Sequence, residues 1–296
     1  MFSLKKIKDR IKSIQSTCKI TQAMKLVAQS RYSKLYSRLS FIDNYTSSLL
    51  SIFQKLYIIN RQNFIKHSNA LHSIKNAELI VIFSSDKGLC GAFNNKIFNI
   101  LENNILTRKR HKTHYKLACY GEKITQYVKK HHKQQFFMGK PCIANKQHFL
   151  NLYNISYKLA YELFLEIKTR EFSSCEFIYT HYSPSFYTQV LTKKILPITP
   201  SQIPLNNSSN QIYTLDNPTQ KIYKVVTKNL FFAYFYKFYL NSIISEYYTR
   251  MVAMDYATNN ADDLLTNLQT QYNRQRQKCI TKELMEITSG AMITNE

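Results

Sequence analysis

A stretch of about 70 residues near the end of the chain, between Pro218 and Gly290, contains neither glycine nor proline. Because these two residues interrupt helices most readily, their absence permits one unbroken helix of roughly 100 Å at 1.5 Å per residue. Apolar or small side chains recur at alternating steps of four and three, the spacing of a heptad seam. The seam positions are Leu240, Ile244, Tyr247, Met251, Met254, Thr258, Ala261, Leu265, Leu268 and Tyr272. Beyond them the pattern shifts to Ile280, Leu284 and Ile287, which indicates that the end of this helix enters a different environment.

The beginning of the chain has the same character, because residues 1–87 also lack glycine and proline. Side chains suited to a seam are spaced three or four apart without a break, and this predicts one helix of about 80 Å. They are Leu4, Ile7, Ile11, Ile14, Cys18, Thr21, Lys25, Ala28, Tyr32, Leu35, Leu39, Ile42, Thr46, Leu49, Phe53 and Leu56. Each helix offers the apolar stripe that the other needs, so we expect an antiparallel pair.

The middle of the chain alternates between short apolar runs and amphipathic segments. Strands are predicted at 77–84, 113–120, 175–181 and 186–197, with helices near 94–106, 122–132 and 149–170. Gly139 and Pro141 indicate a loop, and a polar loop is expected at 200–218. The predicted fold is of the α/β or α+β class. A long antiparallel coiled coil of the terminal helices carries a small Rossmann-like α/β domain with a partly parallel sheet and an antiparallel edge. The expected boundaries are 1–60 and 223–296 for the helices and 61–222 for the domain.

The formal net charge of +23 raises the possibility of a nucleic-acid-binding protein. The charge is uneven: residues 1–60 carry a net +9, whereas residues 223–296 are close to neutral at +1. The remaining charge includes the runs Arg108–Lys112 and Lys129–Lys133, which solvated basic surfaces explain best. A basic coiled-coil protein that binds nucleic acid is therefore the alternative hypothesis, although no DNA- or RNA-binding motif supports it.

Other compositional features narrow the class of protein. The six cysteines are widely spaced with no C-x-x-C pair, which favours buried thiols in a reducing compartment. No run of about 20 apolar residues is present, so we expect no membrane span. The start lacks the apolar stretch of a signal peptide, and a helix beginning at Leu4 leaves no room for a transit peptide.

Few residues of the sequence are arranged as a catalytic, nucleotide-binding or metal site would require. The segment Ser84–Asn94 follows a predicted strand and has two glycines, but it lacks both the G-x-x-x-x-G-K-[ST] and the G-x-G-x-x-G spacings of nucleotide sites. No motif places a general base beside Ser84, Ser85 or Asp86. His111 and His114, with His131–His132 nearby in sequence, lack a cysteine or carboxylate at zinc-ligand spacing. We therefore expect no catalytic residues, no cofactor and no metal.

The residues of both helices resemble those of the γ subunit of F-type ATP synthases. Near the C-terminus the resemblance rests on Ser245–Glu246, Arg250–Met254, Ala257–Ala261, Tyr272–Asn273, Arg276–Gln277, Ile280–Leu284, Glu286–Ile287 and Gly290–Ala291. At the other end it rests on Ile11–Ile14, Thr17, Lys19–Ala28 and Ser30, and in the middle on the turn Ser84–Asn94. A generic coiled coil would share the period of these segments but not their identities. The middle of the chain resembles the family only in the order of its strands and helices.

The resemblance implies the role of a central-stalk rotor that couples proton flow to ATP synthesis by rotation. Its implied partners are the three-fold hexamer of α and β subunits, the ε-type subunit (mitochondrial δ) and the c-ring, with one copy per complex. Membrane contact would then be peripheral, through the c-ring. By resemblance, the contact with a β subunit falls to Met24, Lys25, Arg250, Arg276, Gln277, Thr281 and Glu283. The implied location is the matrix side of the mitochondrial inner membrane for an organelle-encoded chain, or else the cytoplasmic side of a bacterial plasma membrane. A plastid is disfavoured because no Cys-pair redox segment is visible.

Overall fold

The computed structural model describes residues 4–59, 77–142, 152–170, 172–183, 187–196 and 219–293. Five helices and five strands lie within these ranges. The helices are α1 (Leu4–Ile59), α2 (Phe93–Arg110), α3 (Glu122–His131), α4 (Leu152–Arg170) and α5 (Thr219–Ile293). The strands are β1 (Ala77–Phe83), β2 (His114–Tyr120), β3 (Phe136–Lys140), β4 (Ser174–Ser183) and β5 (Tyr187–Leu196). None of the helices in these ranges is long and apolar enough to cross a membrane.

The chain divides into two compact units, one formed by Met1–Ser30 with Arg250–Glu296 and the other by Arg31–Thr249. Both unit boundaries fall inside the terminal helices. The predicted boundaries at 60/61 and 222/223 follow secondary structure instead, and they stay a prediction. The polar loop expected at 200–218 lies outside the described residues.

The larger unit contains a five-stranded sheet in the order β3-β2-β1-β4-β5. The first four strands are parallel and β5 runs antiparallel to β4 at the edge. The mixed α/β class, the partly parallel sheet and the antiparallel edge are therefore confirmed. Alternate residues of β1 and β4 point to opposite faces, as the pleat requires. Ile80, Ile82 and Ile178 pack in one core with the apolar sides of α2 and α3.

The other face of the sheet is covered by an aromatic segment of α5. Phe235 lies with its ring centroid 5.3 Å from those of both Phe83 and Tyr120. Phe177 contacts Phe231 and Phe238 in the same layer. These rings are almost completely buried, so the aromatic side chains of α5 form the core on this face of the sheet. This packing explains why the segment is rich in tyrosine and phenylalanine.

Two serines of α5 complete the backbone hydrogen bonds of β4. The register of β4 with β1 ends at the pair Ile82 and Ile178, so Thr180 has no partner strand on that side. Its N–H donates to Ser242 Oγ and its carbonyl accepts from Ser245 Oγ, each at 3.2 Å. Buried backbone groups need such partners because an unpaired one is costly.

The helices of each unit pair in the antiparallel sense. In the smaller unit Thr21 contacts Thr258 and Cys18 contacts Asp262, so the residue numbers fall on α1 as they rise on α5. In the larger unit Arg31 Nη1 donates to Tyr247 Oη at 2.8 Å. Burial recurs every three or four residues along α1, at the positions that the seam predicts.

One strand was not predicted. β3 occupies Phe136–Lys140, where the glycine and the following Pro141 indicated a loop, so that prediction was wrong. The strand is only five residues long and pairs with β2 alone, with a register shift between Leu117 and Ala118. A short edge strand of this kind needs no alternating apolar pattern, and the sequence shows none.

Candidate functional site

The residues implied to contact a β subunit all lie in the unit formed by Met1–Ser30 with Arg250–Glu296. Met24 is half-buried on α1. Beside it, Lys25 Nζ lies 2.5 Å from Asp255 Oδ1 of α5, with the two side chains 36% and 47% exposed. Lys25 therefore occupies the edge of the helix pair, where its charge reaches solvent. The polar residue in the seam is explained by this ion pair.

The end of α5 extends past the start of α1. Continuing the register set by Lys25 and Asp255 places Leu4, the first described residue of α1, level with Arg276. Beyond that level the apolar positions Ile280, Leu284 and Ile287 are 48%, 57% and 68% exposed. The earlier seam positions on α5 are buried or half-buried as far as Tyr272. The change of environment expected after Tyr272 is therefore present in the structure.

The four candidate residues on this final segment form two stripes. At about 100° per residue, Arg276 and Glu283 lie on one side of the helix and Gln277 and Thr281 on another. All four are exposed. Thr281 Oγ1 donates to the carbonyl of Gln277 at 2.9 Å, so this hydroxyl hydrogen is already used within the helix.

Arg250 differs from the other candidates because it is 8% exposed. A contact between its guanidinium group and another subunit would need that group to reach the surface. Its assignment to a contact surface stays a prediction.

The turn after β1 lies at the carboxyl ends of the parallel strands, where α/β sheets usually bind ligands. Three backbone amides at the start of α3 point to this turn and are already paired with it. Glu122 N donates to Asp86 Oδ1 at 3.1 Å, Lys123 N to the Ser85 carbonyl at 3.2 Å, and Ile124 N to Ser84 Oγ at 3.1 Å. A helix N-terminus that could hold an anion is therefore occupied by the chain's own groups.

The polar groups of this turn also pair with Asn94 and Cys142, and its backbone packs against Gly121. Asn94 Nδ2 donates to Ser85 Oγ at 2.8 Å, and Asp86 Oδ1 also accepts from Cys142 N at 2.9 Å. Gly121 packs against Ser84 with a φ of +118°, and a Cβ there would lie 2.4 Å from Ser84 Oγ. This geometry favours the interpretation of Ser84–Asn94 as a structural turn.

One histidine and two buried cysteines show what these residue types do in the described ranges. His132 Nε2 lies 2.7 Å from Glu102 Oε1, which joins the end of α3 to α2. No group of three His, Cys, Asp or Glu side chains in the described ranges could hold a metal ion. Burial raises the pKa of the Cys119 thiol to about 12 and that of Cys142 well above its ordinary value of 9.0. These thiols therefore stay protonated and unreactive.

Sequence reasoning missed the acidic partners of the helix pair. Asp255 pairs with Lys25, and Asp262 accepts from the Cys18 thiol at 3.2 Å. The sequence does contain a signal for these contacts. Cys18 and Lys25 are one heptad apart on α1, and Asp255 and Asp262 are one heptad apart on α5. Only the register between the helices was needed to match them.

Comparisons with known proteins indicate the same family over nearly the whole chain. The family model described as ATP synthase matches residues 3–292. The ATP synthase gamma chain of Rickettsia typhi is 31% identical over 299 residues, covering 98% of this chain and 99% of that one. The ATP synthase gamma chain of Clostridium kluyveri is 32% identical over 289 residues, covering 96% of each.

Two solved structures share the fold. A chain of the Euglena gracilis mitochondrial ATP synthase OSCP/F1/c-ring assembly superposes with a TM-score of 0.65 at 13% identity, covering 99% of this chain and 94% of that one. A chain of the Tetrahymena thermophila mitochondrial ATP synthase central stalk and c-ring gives a TM-score of 0.55 at 20% identity, covering 80% and 99%. From the family match and the end-to-end identity of its relatives, we conclude that the chain belongs to the ATP synthase gamma-chain family.

Proposed function

We propose that this chain is the central-stalk rotor of an F-type ATP synthase and takes part in ATP synthesis by rotation. The observation that carries the proposal is the match to gamma chains along nearly the full length of both proteins. The paired helices and the long exposed end of α5 suit a shaft whose end enters another subunit. The comparisons give no support to the alternative of a nucleic-acid-binding protein.

In this proposal the rotor acts on its neighbouring subunits by binding their different conformations with different free energies. A protein can shift the equilibrium of a neighbour only by binding its conformations with different free energies. In this proposal the two stripes at the end of α5 and the charge of Lys25 contact the β subunits in turn. Exposed ion pairs contribute only about 0–1 kcal/mol each, so they can be exchanged as the shaft turns.

The chain itself carries no catalytic residues in this proposal. Support comes from the turn at Ser84–Asn94, whose polar groups are committed to the backbone of α3 and to Cys142. The chemistry of ATP synthesis would then take place on partner subunits.

The proposed partners are one hexamer of α and β subunits, the ε-type subunit (mitochondrial δ) and the c-ring, with a single copy of this chain per complex. Proton flow through the ring would turn the shaft, and contact with the membrane would be peripheral. Bacterial gamma chains and mitochondrial structures are both among the similar proteins. The proposed location is the matrix side of the mitochondrial inner membrane, or the cytoplasmic side of a bacterial plasma membrane.

Native mass spectrometry of the tagged chain, extracted from its source membranes in mild detergent, tests this assembly. We expect one copy with three α-like and three β-like subunits in a particle that hydrolyses ATP. A chain recovered alone, or with nucleic acid that moderate salt removes, would contradict the proposal.

The contact residues need a separate test. Arg276→Ala with Gln277→Ala should weaken proton-driven ATP synthesis in membrane vesicles while the complex still assembles. The matched control is Asn154→Ala with Lys158→Ala, which removes one amide and one positive charge from the exposed side of α4. Synthesis that is equal in both double variants would remove Arg276 and Gln277 from the contact surface.

A further inference from the structure

An aromatic groove lies on the surface of the larger unit, where α1, α4 and α5 pack side by side. Its volume is about 430 Å³, and small-molecule sites in proteins commonly measure about 300–1,000 Å³. All three helices contribute to its lining. Six of the described lining residues are aromatic: Phe41, Tyr45, Tyr153, Tyr157, Phe232 and Tyr236. The rotor proposal assigns no role to any of them.

The groove is shaped by contacts within the chain. The ring of Tyr153 stands edge-on to that of Tyr236, with 5.6 Å between their centroids, and Tyr157 stands edge-on to Phe232 at 4.9 Å. Phe232 is buried, as is Ile42 on α1. These contacts hold the floor and one wall in place, so a ligand would enter a preformed site that needs little ordering.

The rings at the mouth of the groove are unusually exposed. Phe41 is 76% exposed, Tyr45 50%, Tyr153 59% and Tyr157 44%. Exposed apolar patches commonly mark binding surfaces, because apolar area in contact with water is unfavourable. The four rings therefore indicate a surface that a bound molecule covers.

The size of the groove favours a small molecule over a protein. Along α5 the lining runs from Asn229 to Tyr236, about 10 Å at 1.5 Å per residue. Exposed polar side chains lie next to it on the flanking helices, among them Ser37 and Asn44 on α1 and Asn154 on α4. A stable protein interface takes about 800 Å² from each partner, which extends well beyond a groove of this length.

One cation lies at an end of the groove without a carboxylate beside it. Arg38 is the first lining residue of α1 and Tyr236 the last of α5, so the antiparallel pairing brings them to the same end. Arg38 is half-buried, and its guanidinium group donates a hydrogen bond to the Tyr236 hydroxyl. Within the described ranges no carboxylate lines the groove, and none forms an ion pair with Arg38. A cation in apolar surroundings needs an anionic partner, which indicates an anionic group on the ligand.

The other charges near the groove agree with an anion. Lys228 Nζ lies 5.6 Å from the ring centroid of Phe232, so a second positive charge stands over one of the lining rings. Asp43 and Glu162, the acidic residues closest in sequence to the lining on α1 and α4, pair with lysines outside the lining. The groove therefore keeps a positive field. A planar guanidinium group matches a carboxylate, which can accept two parallel hydrogen bonds from it.

We propose that this groove binds a small amphipathic carboxylate, a molecule with one carboxylate group and a short apolar chain or ring. The carboxylate pairs with Arg38, and the apolar part packs against Phe41, Tyr153 and Tyr157. None of these residues is among those implied to contact a β subunit, so the site does not depend on the rotor proposal.

The test compares octanoate with octanamide, which has the same chain and nearly the same shape but no charge. Calorimetric titration into the full chain should show octanoate binding about tenfold more tightly or better, because its hydrogen bonds with Arg38 are charge-assisted. Arg38→Gln should remove this preference and leave the affinity for octanamide within about twofold of its original value. The retained binding of octanamide also shows that the variant is folded.

Lys34→Gln is the matched control. It removes one positive charge from an exposed position about one turn before Arg38 on α1, outside the described lining. It should weaken octanoate binding by less than about threefold, since an exposed charge in water acts weakly. Equal weakening in the two variants would show a diffuse electrostatic effect and overturn the proposal. Absence of octanoate binding by the unmodified chain would overturn it as well.

Phe41→Ala tests the apolar contact. Its side chain is mostly exposed, so the fold should tolerate the loss, and both ligands should bind about threefold more weakly or worse because apolar contact area is lost. Ile52→Ala removes an exposed apolar side chain of the same helix outside the described lining and should leave both affinities unchanged. Unchanged affinities in Phe41→Ala would contradict the groove as the binding site.

The assembled complex separates a small ligand from a protein partner. Octanoate is titrated into complexes that contain either the unmodified chain or the Arg38→Gln variant. Tighter binding to the complex with the unmodified chain would show that the groove is open in the assembly and support the proposal. Equal binding would show that another subunit covers the groove, and a protein occupant would then replace the proposed ligand.

Discussion

Lys25 on α1 and Asp255 on α5 form an ion pair at the edge of the helix pair, with 2.5 Å between Nζ and Oδ1. Both side chains are more than a third exposed, so water screens their attraction. Such pairs contribute little to stability. The pair therefore positions a lysine charge at the surface more than it stabilises the fold.

The first prediction follows from that pair. Asp255→Ala should lower the free energy of unfolding by less than about 1 kcal/mol, because an exposed ion pair contributes no more. Lys25→Ala should have an equally small effect on urea unfolding but should reduce ATP synthesis more than Asp255→Ala does, since only Lys25 is proposed to face a β subunit. Equal losses of synthesis in the two variants would argue against that role.

The second prediction concerns Asp86, which accepts from Glu122 N and Cys142 N. Asp86→Ala leaves both amides without this acceptor and should lower the free energy of unfolding by about 1–3 kcal/mol. Asn95→Ala, an exposed polar-to-alanine change at the start of α2, is the control and should have little effect. Chemical denaturation of both variants measures the difference, and equal stabilities would show that Asp86 is dispensable.

A third prediction uses two glycines of the same region. Gly121→Ala should destabilise the domain by about 3 kcal/mol or more, because a φ of +118° strains an L-residue and the new Cβ would meet Ser84 Oγ at 2.4 Å. Gly88→Ala should be tolerated, since no heavy atom lies within 4 Å of its Cβ position. Thermal unfolding of the two variants gives the comparison. A stable Gly121→Ala protein would mean that the turn can rearrange.

The fourth prediction is a pH dependence. Burial raises the pKa of Glu102, but hydrogen bonds from His132 and Tyr127 outweigh it and hold the pKa below its ordinary value of 4.5. A carboxyl with a lowered folded pKa contributes stability above its unfolded pKa and loses it as the pH falls through the folded one. Unfolding measured from pH 6 to pH 3 should therefore show an acid-dependent loss below about pH 4.5 that is smaller in Glu102→Gln. An unchanged pH profile in that variant would contradict the assignment.

The fifth prediction concerns the backbone of Lys112, whose φ is +52°. Lys112→Gly should stabilise the domain by about 1 kcal/mol, because glycine adopts the left-handed conformation without steric penalty. Thermal unfolding of this variant beside the unmodified chain measures the change. A midpoint that stays the same or falls would contradict the prediction.

The helices and four of the five described strands were predictable because their signals are local and repeated. The spacing of three and four along α1 agrees with the observed burial, and apolar runs marked β1 and β2. β3 could not be found in this way, because an edge strand of five residues with a glycine carries no periodic pattern. Its partner, β2, supplies the hydrogen bonds that define it.

The candidate sites show the same limit. Sequence resemblance named Lys25 but gave no reason to choose Asp255, since that choice depends on the register between two distant helices.

The antiparallel pairing of α1 and α5 also fixes the order in which the chain can fold. Lys25 and Asp255 are 230 residues apart, so α1 leaves the ribosome long before its partner exists. At a translation rate of about 5–20 residues per second, the apolar seam of α1 stays without its partner helix for on the order of 10 to 50 seconds. One face of the sheet also stays uncovered until then, because the aromatic rings that cover it belong to α5. Translation of this chain therefore ends with two uncovered surfaces, and the last helix to be synthesised covers both of them.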